Sequence, residues 1–233
     1  METIKADRRE VLRYLGYKNG AAPGEEVSAR IDACEEALLA VIEPHSASCV
    51  LPLTIEESQV LTIGTTSVTS RALAKHLAGC SRVMLFAATL GIGVDRAIQR
   101  AQITRMSDAV LYQAIAAAMI ENYCDQIDTA FAAQIASQGG RTRSRFSPGY
   151  GDLPLELQKD ILRILDAPKK LGLTLTDALL MMPSKSVTAV IGIDDRPEEP
   201  ACPEQAAGST DGNSGNNGHH CDSCTMTDCP YRD

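Results

Sequence analysis

The chain has 233 residues, 44% of them apolar, with no Trp and only 4% aromatic side chains, so its core must be built from Leu, Ile, Val, Ala and Met. No apolar run reaches the roughly 18 residues of a membrane helix, and a membrane partner is not expected. Formal net charge is −8; nine Asp or Glu against two Arg from Asp194 to Asp233 put −7 of it in the tail and leave −1 in the body, which argues against a nucleic-acid-binding surface.

The N-terminal "METIKADRREVL" is charged and helix-like, without the apolar stretch of a signal peptide, so a cytoplasmic location is expected. Residues 4–16 read as a helix with Val11, Leu12 and Leu15 on one face. Residues 25–42 read as a second, with Val27, Ile31, Cys34, Leu38 and Val41 forming an apolar stripe that Pro44 ends. The period then changes. "SCVLPLTI" and "QVLTIGT" read as strands joined in a hairpin through "EES". Ser70 is a candidate N-cap for "RALAKHLAG", and Gly79 a candidate stop. "SRVMLFAAT" has the length and continuous apolarity of a buried strand, and "GIGVDRAIQRA" turns into a helix.

Ser107 is the expected start of the longest helix, ending near residue 136 before Gly139-Gly140. Beyond a loop, "PLELQKDILRILDA" reads as a helix with Pro154 in its first turn, "TDALLMM" as a short helix capped by Thr176, and "KSVTAVIGI" as a final strand. The order predicts a mixed α/β (α+β) fold whose sheet need not be parallel. Residues 1–193 are the expected body. Residues 194–218, acidic and then Gly/Asn/Ser-rich, read as a flexible linker, and 219–233 as a Cys-rich tail.

Eight cysteines fall into two sets. Cys34, Cys49, Cys80 and Cys124 sit in apolar contexts and read as small core residues. Cys221, Cys224 and Cys229 stand within nine residues, the last followed by Pro, with Cys202, His219 or His220 available as a fourth ligand. That spacing suits thiolate ligation of zinc or an iron–sulfur cluster, or a redox dithiol. Two weaker signals are better explained structurally. "TLGIGVDR" has Gly91 and Gly93 but Arg96 at the third glycine position of a dinucleotide fingerprint, so it reads as a tight strand-to-helix turn. His76, isolated on a short helix, reads as a packing residue. No nucleophile-elbow arrangement is present, so hydrolase chemistry has no support.

"RFSPGYGDLP" at 145–154 is the most informative stretch. Pro148 fixes φ, and Gly149 lets backbone approach a ligand with no side chain between. Arg145 offers a planar fork for a carboxylate, and Tyr150 a ring face and a hydroxyl. The set suits a ligand with a base, a sugar and an amino-acid end; it equally suits a helix–helix connector held by a salt bridge.

Arg145 with Pro148-Gly149-Tyr150, then "GLTLTDALLM", then Pro183 with Ser186-Val187, resembles the activation domain of cobalamin-dependent methionine synthase over residues 107–193. "EVLRYLGY", "LAKHLAGC" and "LFAATLGIGVDR" are similar to short stand-alone forms of that domain. The resemblance implies a largely antiparallel twisted sheet with flanking helices and a shallow groove for S-adenosylmethionine. It implies Arg145 on the ligand carboxylate, backbone at Ser147, Gly149 and Tyr150 on adenine and ribose, and Glu121 balancing the ammonium or sulfonium. It further implies reductive remethylation of cob(II)alamin on a corrinoid-binding methionine synthase that lacks its own activation domain, with a flavodoxin- or ferredoxin-like electron donor. The family's acidic contact near the domain start, and the tyrosine after its Pro-x-x-Ser-Val strand, have no counterpart here. The chain has no Asp-x-His-x-x-Gly corrinoid motif, so cobalamin is expected on the partner. No catalytic acid or base is expected, because an activated sulfonium needs only orientation. The other reading from sequence is a redox or metal-binding adaptor for another corrinoid methyltransferase, its function carried by the Cys tail.

Overall fold

The computed structural model describes residues 3–18 and 22–196. Two helices come first, α1 (Arg8–Tyr14) and α2 (Glu25–Leu39). Asp7 caps α1 by accepting from the Arg9 and Glu10 amides. On α2 the centre of the expected stripe is buried (Ile31, Cys34, Leu38), while Val27 and Val41 at its ends remain exposed.

The main sheet holds β1 (His45–Ile55), β2 (Val60–Ile63), β3 (Thr66–Thr69), β4 (Arg82–Thr89), β5 (Arg141–Thr142) and β8 (Ser186–Asp194), in the order β3-β2-β1-β4-β8-β5. Every neighbouring pair is antiparallel. The expected β1–β2 hairpin forms, and β3 extends it. Alternation across the pleat explains the continuous apolar run of β4. Met84, Phe86 and Ala88 point into one core with α1, α2, α4 (Ile92–Thr104) and α5 (Met106–Ala136). Val83, Leu85 and Ala87 point into a second core with α3 (Arg71–His76), α6 (Leu157–Leu165) and α7 (Ala167–Leu171). The sheet is therefore covered on both faces at its centre, and the mixed α+β architecture with a largely antiparallel sheet and flanking helices is the one anticipated.

Four local expectations are corrected. Residues 176–182 form no helix. Instead β6 (Thr174–Leu175) pairs with β7 (Met181–Met182) in a small hairpin. The Thr176 hydroxyl accepts from the Leu180 amide at 3.1 Å, and Leu179 takes a left-handed φ of 61°, which closes the turn. Ser107 is not the cap of α5; Arg105 precedes the helix in extended conformation and Ser107 lies in its first turn. Pro154 stands before α6, its carbonyl accepting from the Leu157 amide. The expected linker boundary falls inside β8, where Asp194 is buried. Hydrogen bonds from Arg196 hold Asp194 below the usual carboxylate range, and those from Arg82 do the same for Asp195.

Gly91 and Gly93 make a tight turn rather than a nucleotide cradle. A Cβ on Gly93 would stand 2.1 Å from the Val41 carbonyl oxygen, so the residue is small because the α2–β1 connection passes against it. No described helix is long and apolar enough to cross a membrane.

Candidate functional site

The 145–154 loop is held at three places. At its start, Phe146 makes both backbone hydrogen bonds of a bridge to Val190 on β8, at 2.9 Å each. The His76 ring donates from Nε2 to the Ser144 carbonyl at 2.8 Å and lies 5.2 Å from the Phe146 ring, which makes His76 the packing residue expected. At its end, Asp152 reaches the start of α3. Its carboxylate accepts from the Ser70 hydroxyl at 2.5 Å, the Arg71 amide at 2.8 Å and the Ala72 amide at 3.0 Å. Those donors hold the Asp152 carboxyl below its ordinary range, the Ser70 hydroxyl contributing most. The Ser70 oxygen also accepts from the Leu73 amide, the cap predicted for α3.

Between these anchors the chain turns tightly. The Gly149 amide donates to the Leu153 carbonyl, and the Tyr150 amide to that of Ser147. Gly149 and Gly151 have φ of 92° and 57°, backbone that favours glycine. Pro148 is buried beneath the turn, whereas Tyr150 stands 68% exposed at its tip.

Arg145 points the other way, onto α5. Its guanidinium donates to Asp128 at 2.6 Å, to Asp125 at 2.8 Å and to Glu121 at 3.1 Å. The three carboxylates stand four and three residues apart, so they share one helix face. The Arg145 side chain is only 17% exposed. Burial works against its charge, yet the carboxylates, Asp128 foremost, keep its pKa above the ordinary value. Asp128 itself is pushed by burial up to about 6, against the pull of Arg145 and with the help of Asp125 and Glu121. One Asp128 oxygen, Oδ1, is buried with no hydrogen-bond partner. Beneath the cluster, burial lifts the Cys124 thiol to about 12, so it stays an inert core residue. Cys34, Cys49 and Cys80 are likewise free, buried or half-buried thiols.

Glu121 and Arg145, 24 positions apart, are thus in direct contact, and Ser147, Gly149 and Tyr150 continue from Arg145 along one loop. Asp125 and Asp128 were not anticipated; their spacing from Glu121 on a predicted helix was the available signal. Among the described residues no group of three or more His, Cys, Asp or Glu is arranged to hold a metal. Cys202, Cys221, Cys224 and Cys229 lie outside the described residues. A separate open groove of about 440 Å³ lies between α6, α7 and β6, lined by Lys159, Leu162, Arg163 and Leu175 among others. None of the predicted site residues lines it.

No protein-family model matches this sequence, and no curated protein does. Among solved structures the chain is similar to the one titled "Crystal Structure of the MetH Reactivation Domain bound to AdoHcy". The TM-score is 0.59 at 16% identity, over 82% of this chain and 70% of that one. This chain has the MetH reactivation domain fold. At that identity the likeness carries the architecture alone.

Proposed function

We propose that this chain is a stand-alone reactivation subunit: it binds S-adenosylmethionine and supports reductive remethylation of cob(II)alamin on a partner cobalamin-dependent methionine synthase. The observation that carries the reading is the convergence of Arg145 and Glu121 beside the tight Ser147–Tyr150 turn, on a fold whose solved neighbour is titled as bound to AdoHcy.

The residues fit such a ligand by charge and shape. Arg145 has a planar donor fork, and a ligand carboxylate can replace one of its three acidic partners. The carboxylate so released, or Glu121, faces the ligand's cationic groups. The bare backbone of Gly149 and the exposed Tyr150 ring offer a flat surface for a heterocycle. S-adenosylmethionine supplies an activated methyl group when bound. The chain's own part is to hold that methyl at the exposed loop, where a metal centre on another protein can reach it. The corrinoid partner would be a methionine synthase without its own activation domain, served by a flavodoxin- or ferredoxin-like donor.

A second reading has one observation in its favour. Arg145 is already matched by three carboxylates, as a purely structural connector would be. The chain would then be a redox or metal-binding adaptor for another corrinoid methyltransferase, with Cys221, Cys224, Cys229 and Cys202 holding zinc or an iron–sulfur cluster. Calorimetric titration of S-adenosylmethionine into the full chain separates the two. Saturable binding that Tyr150→Ala weakens, with the fold intact because Tyr150 is exposed, supports the first reading. No heat at millimolar ligand refutes it.

A further inference from the structure

We propose that the protein carrying the methyl-accepting metal centre docks on one continuous surface, from the Tyr150 loop along α6 to the β6–β7 hairpin, and presents apolar and acidic groups to it. The inference rests on the S-adenosylmethionine reading above and adds the surface by which the partner is held.

The surface follows from spacing on α6. A Cβ on Gly149 would stand 3.2 Å from Leu155 Cδ1, so Leu155 lies against the loop. Leu155, Lys159 and Arg163 follow at intervals of four, the spacing of one ridge along a helix. The ridge runs into the open groove, which Lys159 and Arg163 line from α6 and Thr174 and Leu175 from β6. Met182 stands opposite Thr174 in the hairpin. Met181 packs on the core, so its neighbours to either side, Met182 and Leu180, turn outward.

Apolarity, charge and position together say what covers this surface. Tyr150, Leu155, Leu180 and Met182 are 68%, 37%, 65% and 40% exposed along it. One exposed apolar residue is ordinary, but a connected series marks an interaction surface. Among the described residues no carboxylate pairs with Lys159. Arg163 is paired with Asp160 of its own helix at 2.9 Å, and Asp166 is the one acid lining the groove. Lys169 and Lys170 follow on α7. A complementary partner therefore carries carboxylates opposite α6. A stable interface covers about 800 Å² on each side, a patch roughly 30 Å across. From Leu155 to Arg163 the ridge is only about 12 Å long, so a protein seated over the loop tip extends over the groove as well.

The test is equilibrium binding of the full chain to the corrinoid-binding region of a methionine synthase without its own activation domain, loaded with cob(II)alamin. S-adenosylmethionine is titrated in parallel. Lys159→Glu and Leu180→Asp, both at exposed sites outside the ligand loop, are each expected to weaken the protein–protein association by about tenfold. The Lys159→Glu loss should shrink at high salt. Neither should change S-adenosylmethionine affinity. Ile103→Asp, at an 88% exposed apolar site of α4, on the opposite face of the sheet, is expected to change nothing. Unaltered association in both α6 and hairpin variants, with S-adenosylmethionine still bound, overturns the docking surface and leaves the ligand reading standing. Equal loss from all three variants reflects general surface adhesion and overturns it too. No association of the unaltered chain overturns the surface and the partner together, and no binding of S-adenosylmethionine removes the reading and this inference with it.

Discussion

Replacing Arg145 by Ala should destabilise the fold, and the loss should depend on pH. The Arg145 side chain is 17% exposed, and its guanidinium is the shared partner of Glu121, Asp125 and Asp128. Removing it leaves three carboxylates on one helix face, one of them with a buried, unpaired oxygen. Breaking a buried pair by deleting one partner costs about 3–5 kcal/mol. Glu121 and Asp125 are 42% and 67% exposed and can turn to water, so a loss of about 2–3 kcal/mol near pH 8 is expected. Acid should reduce that loss. In the intact protein Asp128 titrates near 6, above its unfolded value of 3.8. The folded state therefore binds this proton more tightly than the unfolded one, and the unfavourable charge is relieved as pH falls through 6. Without Arg145 the Asp128 carboxyl is raised further, so at about pH 5 the variant carries a neutral Asp128 and less repulsion. Urea unfolding of both proteins at the two pH values is the assay. A stability difference that is small at both, or equal at both, would refute the account of Arg145 as a buried counter-charge.

Asp152→Ala should release the loop from the start of α3 while α6 and the sheet remain folded, and on the S-adenosylmethionine proposal it should also weaken that ligand; limited proteolysis between residues 147 and 153 beside calorimetry checks both parts. Gly93→Ala should cost about 1–3 kcal/mol, because the new methyl meets the Val41 carbonyl oxygen and the α2–β1 connection must shift; a thermal melt unchanged from the parent would contradict it. Phe86→Ala, at a fully buried site on the central strand, should cost about 3–5 kcal/mol, read from denaturant midpoints. On the Cys-tail proposal, anaerobically purified full chain should contain zinc or iron, and Cys224→Ser should lower that content; absence of both metals would end the proposal.

Local signals carried far in this sequence. The Ser70 cap, the α2 stripe, the β1–β2 hairpin and the strand character of β4 and β8 depend on neighbours a few residues away, which the local sequence reports directly. Where the local pattern is short it misleads. The seven residues from Thr176 to Met182 suit a helix by composition, and only pairing with Thr174–Leu175 makes them a hairpin. The two-residue strand β5 is invisible without β8 beside it.

The site shows the same division. The Arg145–Tyr150 run was the strongest local signal, but its residues suit a salt-bridged connector as well as a ligand loop, and the family resemblance favoured the second. What the guanidinium faces was settled by tertiary structure. The bridge of Phe146 to Val190 sets the loop against β8, and the packing of α5 on the same sheet presents Glu121, Asp125 and Asp128 to Arg145. Coulomb interactions act through space with no sequence period. A charge balance of one cation to three acids therefore exists only once the strand and the helix have been brought together.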